Sequence, residues 1–141
     1  MNEPGRSPWS VEADRRIVKI LVFDDNDVDR LALRRGLQQS GVEVSIREVE
    51  STSEAGECIQ RGECDCVFVG DSIAHTQLFT LLLRIHEAAF DVPVVITTYG
   101  GDGGGTIGKA GTIEFLSTAS LTPVRLAAIC RQAFEISNAR E

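Results

Sequence analysis

Apolar residues recur along this chain in two rhythms, and the rhythms alternate. IVKILVF (17–23) is a strand-sized run that stops at the acidic stretch DDND. VDRLALRRGLQQ (about 28–39) has helical spacing, with Val28, Leu31, Ala32 and Leu37 on one face, Asp27 placed to cap it and Gly41 to stop it. VEVSIREV (42–49) sets Val42, Val44 and Ile46 against polar neighbours, as an edge strand with one wetter face would. STSEAGECIQRG (51–62) gives a Ser or Thr cap, a short helix and a glycine stop. CDCVFV (64–69) is continuously apolar apart from Asp65, the pattern of a central strand buried on both faces.

The second half repeats the alternation. TQLFTLLLRIHEAA (76–89) reads as a helix, and DVPVVITT (91–98) as a buried strand with Pro93 at its entry. YGGDGGGTIGKAG (99–111) is glycine-rich, and TIEFLS (112–117) is a short strand. Thr122 caps a last helix that starts on Pro123, runs to about Ser137 and buries Leu126, Ile129, Cys130 and Phe134. Strands alternating with helices imply parallel strands and right-handed crossovers. The expected fold is therefore α/β: a flavodoxin-like three-layer sandwich, with a five-stranded parallel sheet in the order 2-1-3-4-5 and five helices. Ligands in that architecture sit beyond the carboxyl ends of the strands, where the strand order reverses. The candidate chemistry there comes from Asp24 and Asp25, from Gly70-Asp71-Ser72, and from Thr97 and Thr98.

Composition narrows the function. A length of 141 residues suits one core, expected over 16–138 behind a flexible N-terminal tail, 1–15, that carries Trp9. The net charge of -7 speaks against a nucleic-acid partner, and no apolar run is long enough for a membrane span, so a cytoplasmic location is expected. Cys64 and Cys66, two apart on one strand, should share a face. With Cys58 and Cys130 they read as reduced core thiols. Adjacent Asp24 and Asp25 repel each other, and a divalent cation would offset this. Mg²⁺ suits the hard oxygen ligands available there, with Asp24, Asp25 and Ser72 as the candidates.

ILVFDDNDVDRLALRRGLQQSG resembles the opening of a response-regulator receiver domain (CheY-like), the phosphoacceptor module of two-component signalling. DCVFVGDSIAHTQLFTLLLRIHE, DVPVVITTYG and AGTIEFLSTASLTPVRLAAICRQAFE resemble its remaining segments in the right order, so the resemblance covers about 17–137. It implies a third strand that ends on an aspartate attacking a phosphoryl donor. Mg²⁺, a hydroxyl after the fourth strand and a lysine after the fifth would neutralise the developing charge. It also implies a histidine kinase or other signalling protein as partner, and pairing of two copies through the helix 4/strand 5/helix 5 face.

The reacting centre departs from that pattern. Counting from Asp65, and back from Leu81-Leu82, puts Gly70 at the acceptor position and Asp71 one residue late. The hydroxyl is Thr98 counted from Pro93, or Thr97 counted from Tyr99-Gly100. Thr118 stands where the lysine is expected, and Ala74 where the family has proline. The leading expectation is an atypical pseudo-receiver, not an enzyme, that works by protein–protein interaction. A working receiver that brings Asp71 into place through a bulge at Gly70 is the first alternative. The second is a small nucleotide-binding protein using the glycine-rich loop 100–109 and Lys109, although too few residues follow the loop for the helix such sites need. Several glycines should leave the fourth helix short or disordered.

Overall fold

The computed structural model describes residues 17–87, 92–98, 105–107 and 113–139. The N-terminal stretch 1–15 with Trp9, and Lys109 of the glycine-rich loop, lie outside the described residues. The strands are β1 (Val18–Phe23), β2 (Val44–Val49), β3 (Cys66–Val69), β4 (Val94–Thr98), β5 (Gly105–Ile107) and β6 (Ile113–Ser117). The helices are α1 (Asp27–Gln38), α2 (Thr52–Gln60), α3 (His75–Glu87) and α4 (Pro123–Ala139).

The sheet order is β2-β1-β3-β4-β6-β5. The first five of these strands are parallel neighbours in the expected 2-1-3-4-5 order. The difference lies at the far edge. Where the glycine-rich stretch should have made a fourth, frayed helix, β5 pairs antiparallel with β6, leaving four α-helices among the described residues. Glycine is poor in helices, and an edge strand asks only for an extended backbone.

Side chains alternate across the sheet and fill two layers. Leu21, Phe23, Val67, Val69, Val94 and Ile96 form one core with α2 and α3 residues such as Ala55, Ile59 and Leu81. Ile20, Val22, Cys66, Phe68 and Val95 form the other with Leu33 and Leu37 of α1 and Leu126, Ile129 and Cys130 of α4. Cys64 packs in the first core and Cys66 in the second, so the expectation of a shared face fails. The ladder begins only at Cys66. Before it the chain is held by Asp65, whose N–H donates to the Lys19 carbonyl and whose carboxylate accepts from the Lys19 N–H at 2.9 Å. All four cysteines are buried and none forms a disulfide, and burial is the first cause raising the Cys58, Cys66 and Cys130 thiols, Cys130 to about 11.

Two local expectations about α1 are also corrected. Asn26, not Asp27, is the cap: its side chain accepts from the Asp29 N–H at 3.0 Å, while Asp27 is the first helical residue and pairs with Arg30. The buried face is Leu33, Gly36 and Leu37, and Val28, Leu31 and Ala32 are exposed. The helix turns that way because Gly36 lies against α4. A Cβ there would stand 2.7 Å from the Leu126 methyl. Elsewhere the sequence signals hold. Ser51 caps α2 through the Glu54 N–H, Thr122 caps α4 through the Arg125 N–H, and Gly41 and Gly62 take the positive φ that ends α1 and α2.

Leu126 is fully buried and cannot swing away, so Gly36→Leu should overpack the α1–α4 contact. We expect a loss of ~1–3 kcal/mol, read as a lower urea midpoint with unchanged slope.

Candidate functional site

The site lies where β1, β3, β4 and β6 end. The β1–β3 ladder runs in register from Ile20↔Cys66 to Phe23↔Val69, and the Gly70 N–H continues it by donating to the Phe23 carbonyl at 2.9 Å. Asp24 and Gly70 are thus side by side at the first position beyond the two strands. Gly41 and Gly62 are the only described glycines with positive φ, so Gly70 takes no left-handed turn, and Asp71 follows in the turn, exposed.

Asp24 is 5% exposed, and its carboxyl lies on the Cα of Gly70. A Cβ at residue 70 would overlap the Asp24 carboxyl carbon and both of its oxygens. Glycine is required here by this close approach. The Asp24 Oδ1 accepts from the Asn26 N–H at 2.9 Å and from the Ser72 hydroxyl at 3.3 Å. Burial is the main cause that raises the Asp24 carboxyl above the usual carboxylate range. The Asn26 N–H opposes the rise, Asp29 adds to it, and Ser72 and Arg30 oppose it more weakly.

Thr97 is equally buried, and its hydroxyl donates to the Val69 carbonyl at 3.3 Å. It shares a cavity of about 70 Å³ with Asp24, Asp29, Ala32, Leu33, Thr118 and Leu121. Thr98, one residue on, is only half-buried and is not among the residues lining that cavity. Thr118 follows β6 directly, opening a 3-10 turn (Thr118–Ser120) capped by the Ser117 hydroxyl, and this carries it to the cavity wall. The structure therefore brings Asp24, Ser72 and Thr97 together, with Thr118 facing the same space. Asp25 and Asp71 are exposed.

This donor set does not fit the Mg²⁺ site that the sequence resemblance implies. Such a site needs carboxylates turned outward to a cation that keeps several waters. Here Asp24 turns inward onto Gly70 and is used by Asn26 and Ser72, and no cluster of three metal-ligating side chains occurs among the described residues. Positive charge comes instead from Arg30, whose guanidinium hydrogen-bonds Asp27 and feels Glu48 and Glu50 as well as Asp24. Arg30 and the cavity-lining Asp29 and Leu121 were not among the sequence candidates. The first two follow Asp25 by five and four residues, in the opening turn of α1 (Asp27–Gln38), which is the signal that could have drawn attention to them.

No family model and no curated protein matches the chain. Solved structures do. A response regulator from Hahella chejuensis aligns with a TM-score of 0.63 at 17% identity, covering 85% of this chain and 97% of that one. A response regulator receiver domain protein from Bacillus halodurans aligns at 0.59 and 20% identity, covering 82% and 96%. The fold is thus that of response-regulator receiver domains. A segment of the lysine decarboxylase of Francisella novicida also aligns, at 0.57 and 15% identity, covering 84% of this chain but 17% of that one. The same architecture serves other proteins, so function must be argued from the site.

Two outcomes check this geometry. Gly70→Ala should lose ~1–3 kcal/mol of stability. In an Asp24→Ala background the same change should cost less, giving a coupling of about 0.5–3 kcal/mol in a double-mutant cycle. Equal costs in both backgrounds would mean that Asp24 does not fill that space.

The raised Asp24 carboxyl also fixes a sign. The folded state holds the proton more tightly than the unfolded chain, so this group favours folding most below the ordinary carboxylate range, and that contribution is lost as pH rises through the raised value. Asp24→Asn should therefore be more stable than the parent at neutral pH, by urea denaturation, and the gain should shrink as the pH is lowered into the acid range.

Proposed function

We propose that this chain is a pseudo-receiver: a two-component signalling module that works by protein–protein interaction, without an aspartyl phosphate. The observation that carries this reading is the Asp24 carboxyl lying on Gly70, where a receiver would carry its acceptor side chain. Phosphoryl transfer is catalysed mainly by positioning and by cations at the developing charge. At this site the acceptor position has no side chain, the buried acid is turned inward, and Thr118 offers a hydroxyl where the resemblance implies a lysine. Thr97, the hydroxyl that shares the cavity, is already donating to Val69.

What remains is a rigid scaffold that presents surfaces. The partner is a histidine kinase or another signalling protein in the cytoplasm, and the net charge of -7 argues against nucleic acid. No helix among the described residues is long and apolar enough to cross a membrane.

The test is incubation with Mg²⁺ and acetyl phosphate followed by intact-mass measurement. We expect no gain of a phosphoryl group. A gain that disappears in Asp71→Ala would replace this reading with a receiver that uses the exposed Asp71. In parallel, Mg²⁺ should leave the melting temperature unchanged, because a cation bound only by the folded state would raise it.

A further inference from the structure

β1 runs between β2 and β3, and Lys19 is its one exposed residue. It lies on the same face of the strand as the core residues Leu21 and Phe23. Ser45 and Arg47, which share that face on β2, are exposed too. α2 packs on this side of the sheet but ends at Gln60, and the amino ends of both strands are left open. The opening is a cavity of about 310 Å³. Its floor is Leu21, Cys58 and Cys64, all buried in the core shared with α2. Its rim carries Lys19, Arg47 and Glu63. Arg47 donates to Glu63 at 3.3 Å, and Lys19 adds a second cation against that one carboxylate. An apolar floor open to water favours an apolar cover.

We propose that the N-terminal segment of this chain folds back over the opening and seats Trp9 on that floor. Ile17, the first described residue, is itself part of the cavity wall, so the sixteen residues before it lead into the cavity's own edge. Trp9 stands eight residues before Ile17, a reach of up to about 26 Å at 3.3 Å per residue. The cavity follows β1 only from Ile17 to Leu21, about 13 Å, which leaves length for a reversing turn. Tryptophan joins a large apolar body to an N–H that seeks a partner, and this suits an apolar floor under a polar rim. Charge agrees as well. Between Trp9 and Arg15 the chain carries Glu12 and Asp14 and no cation, to meet a rim with two cations and one carboxylate. Tethering favours this segment over a separate molecule, because a segment joined at the cavity's edge is present there at an effective concentration of about millimolar. The contact is at the opposite end of β1 from Asp24 and does not depend on whether the chain accepts a phosphoryl group.

Trp9 is the only tryptophan, so its fluorescence in the full chain tests the proposal. The emission should be blue-shifted and shielded from acrylamide, and urea should remove both effects. Lys19→Glu with Arg47→Glu should shift the emission to the red and increase quenching several-fold. Both side chains are exposed, and an unchanged circular dichroism spectrum would show that the fold is kept. Glu12→Lys with Asp14→Lys should act in the same direction without altering the domain at all. Trp9→Ser supplies a second readout: Cys58 and Cys64 should react several-fold faster with a small thiol reagent, followed by peptide mapping. Cys66 and Cys130 lie in the other core and should stay as slow as in the parent. A parent whose emission is already that of a solvated indole would overturn the proposal. Shielding indifferent to both charge reversals, or thiol rates indifferent to Trp9→Ser, would place Trp9 elsewhere and overturn it too. Shielding that disappears on dilution would assign the cavity to the Trp9 of a second copy instead.

Discussion

The approach of the Asp24 carboxyl to the Cα of Gly70 governs the ligand end of this sheet. Parallel pairing of β1 with β3 fixes these two residues as neighbours, since the ladder continues to the Gly70 N–H. Once one neighbour has no side chain, the other can turn inward and fill the space. The carboxyl then leaves water, which is why its proton is held more tightly. The Asn26 N–H and the Ser72 hydroxyl satisfy one of its oxygens, and this links the start of α1 and the turn after β3 to the same point. The end of β3 and the end of β1 are thereby joined as a piece of internal packing.

Charge around the site is balanced within the chain. Asp27, Glu48 and Glu50 gather near Arg30, and Arg34 pairs with Glu48 across α1 and β2. A guanidinium is permanently charged and held by its own helix, so this neutralisation needs no exchangeable ion. These pairs are largely exposed and add little to stability. Their role is to keep several carboxylates together at one end of the sheet without repulsion driving them apart.

The sequence revealed the architecture well because two strong signals agreed: the alternation of strand and helix, and continuous apolar runs for the central strands. Caps at Ser51 and Thr122, and the glycine stops, were also legible, being local chemistry. The misreadings came from tertiary contacts. The face of α1 was misassigned because Val28 and Leu31 obey helical spacing as well as Leu33 and Leu37 do, and only the contact of Gly36 with Leu126 selects between them. Cys64 and Cys66 were set on one face because the strand was drawn two residues too early. Counting from Asp65 and from Leu81-Leu82 arrives at Gly70, the residue that the β1–β3 ladder sets next to Asp24. It could not show that Asp24 turns into that space, because a side-chain rotamer is not written in residue spacing.

The interlock of residues 24 and 70 also makes the present state hard to leave one step at a time. A side chain introduced at 70 collides with the carboxyl already there. Truncation at 24 alone, as in Asp24→Ala, leaves a void over a bare glycine, together with an Asn26 N–H and a Ser72 hydroxyl that have lost their acceptor. Each of these two changes is penalised on its own, whereas Asp24→Asn keeps both the fill and the acceptor and leaves the position closed. Sequence drift at the surface can therefore remodel what this domain binds far more readily than it can restore a side chain at the tip of β3.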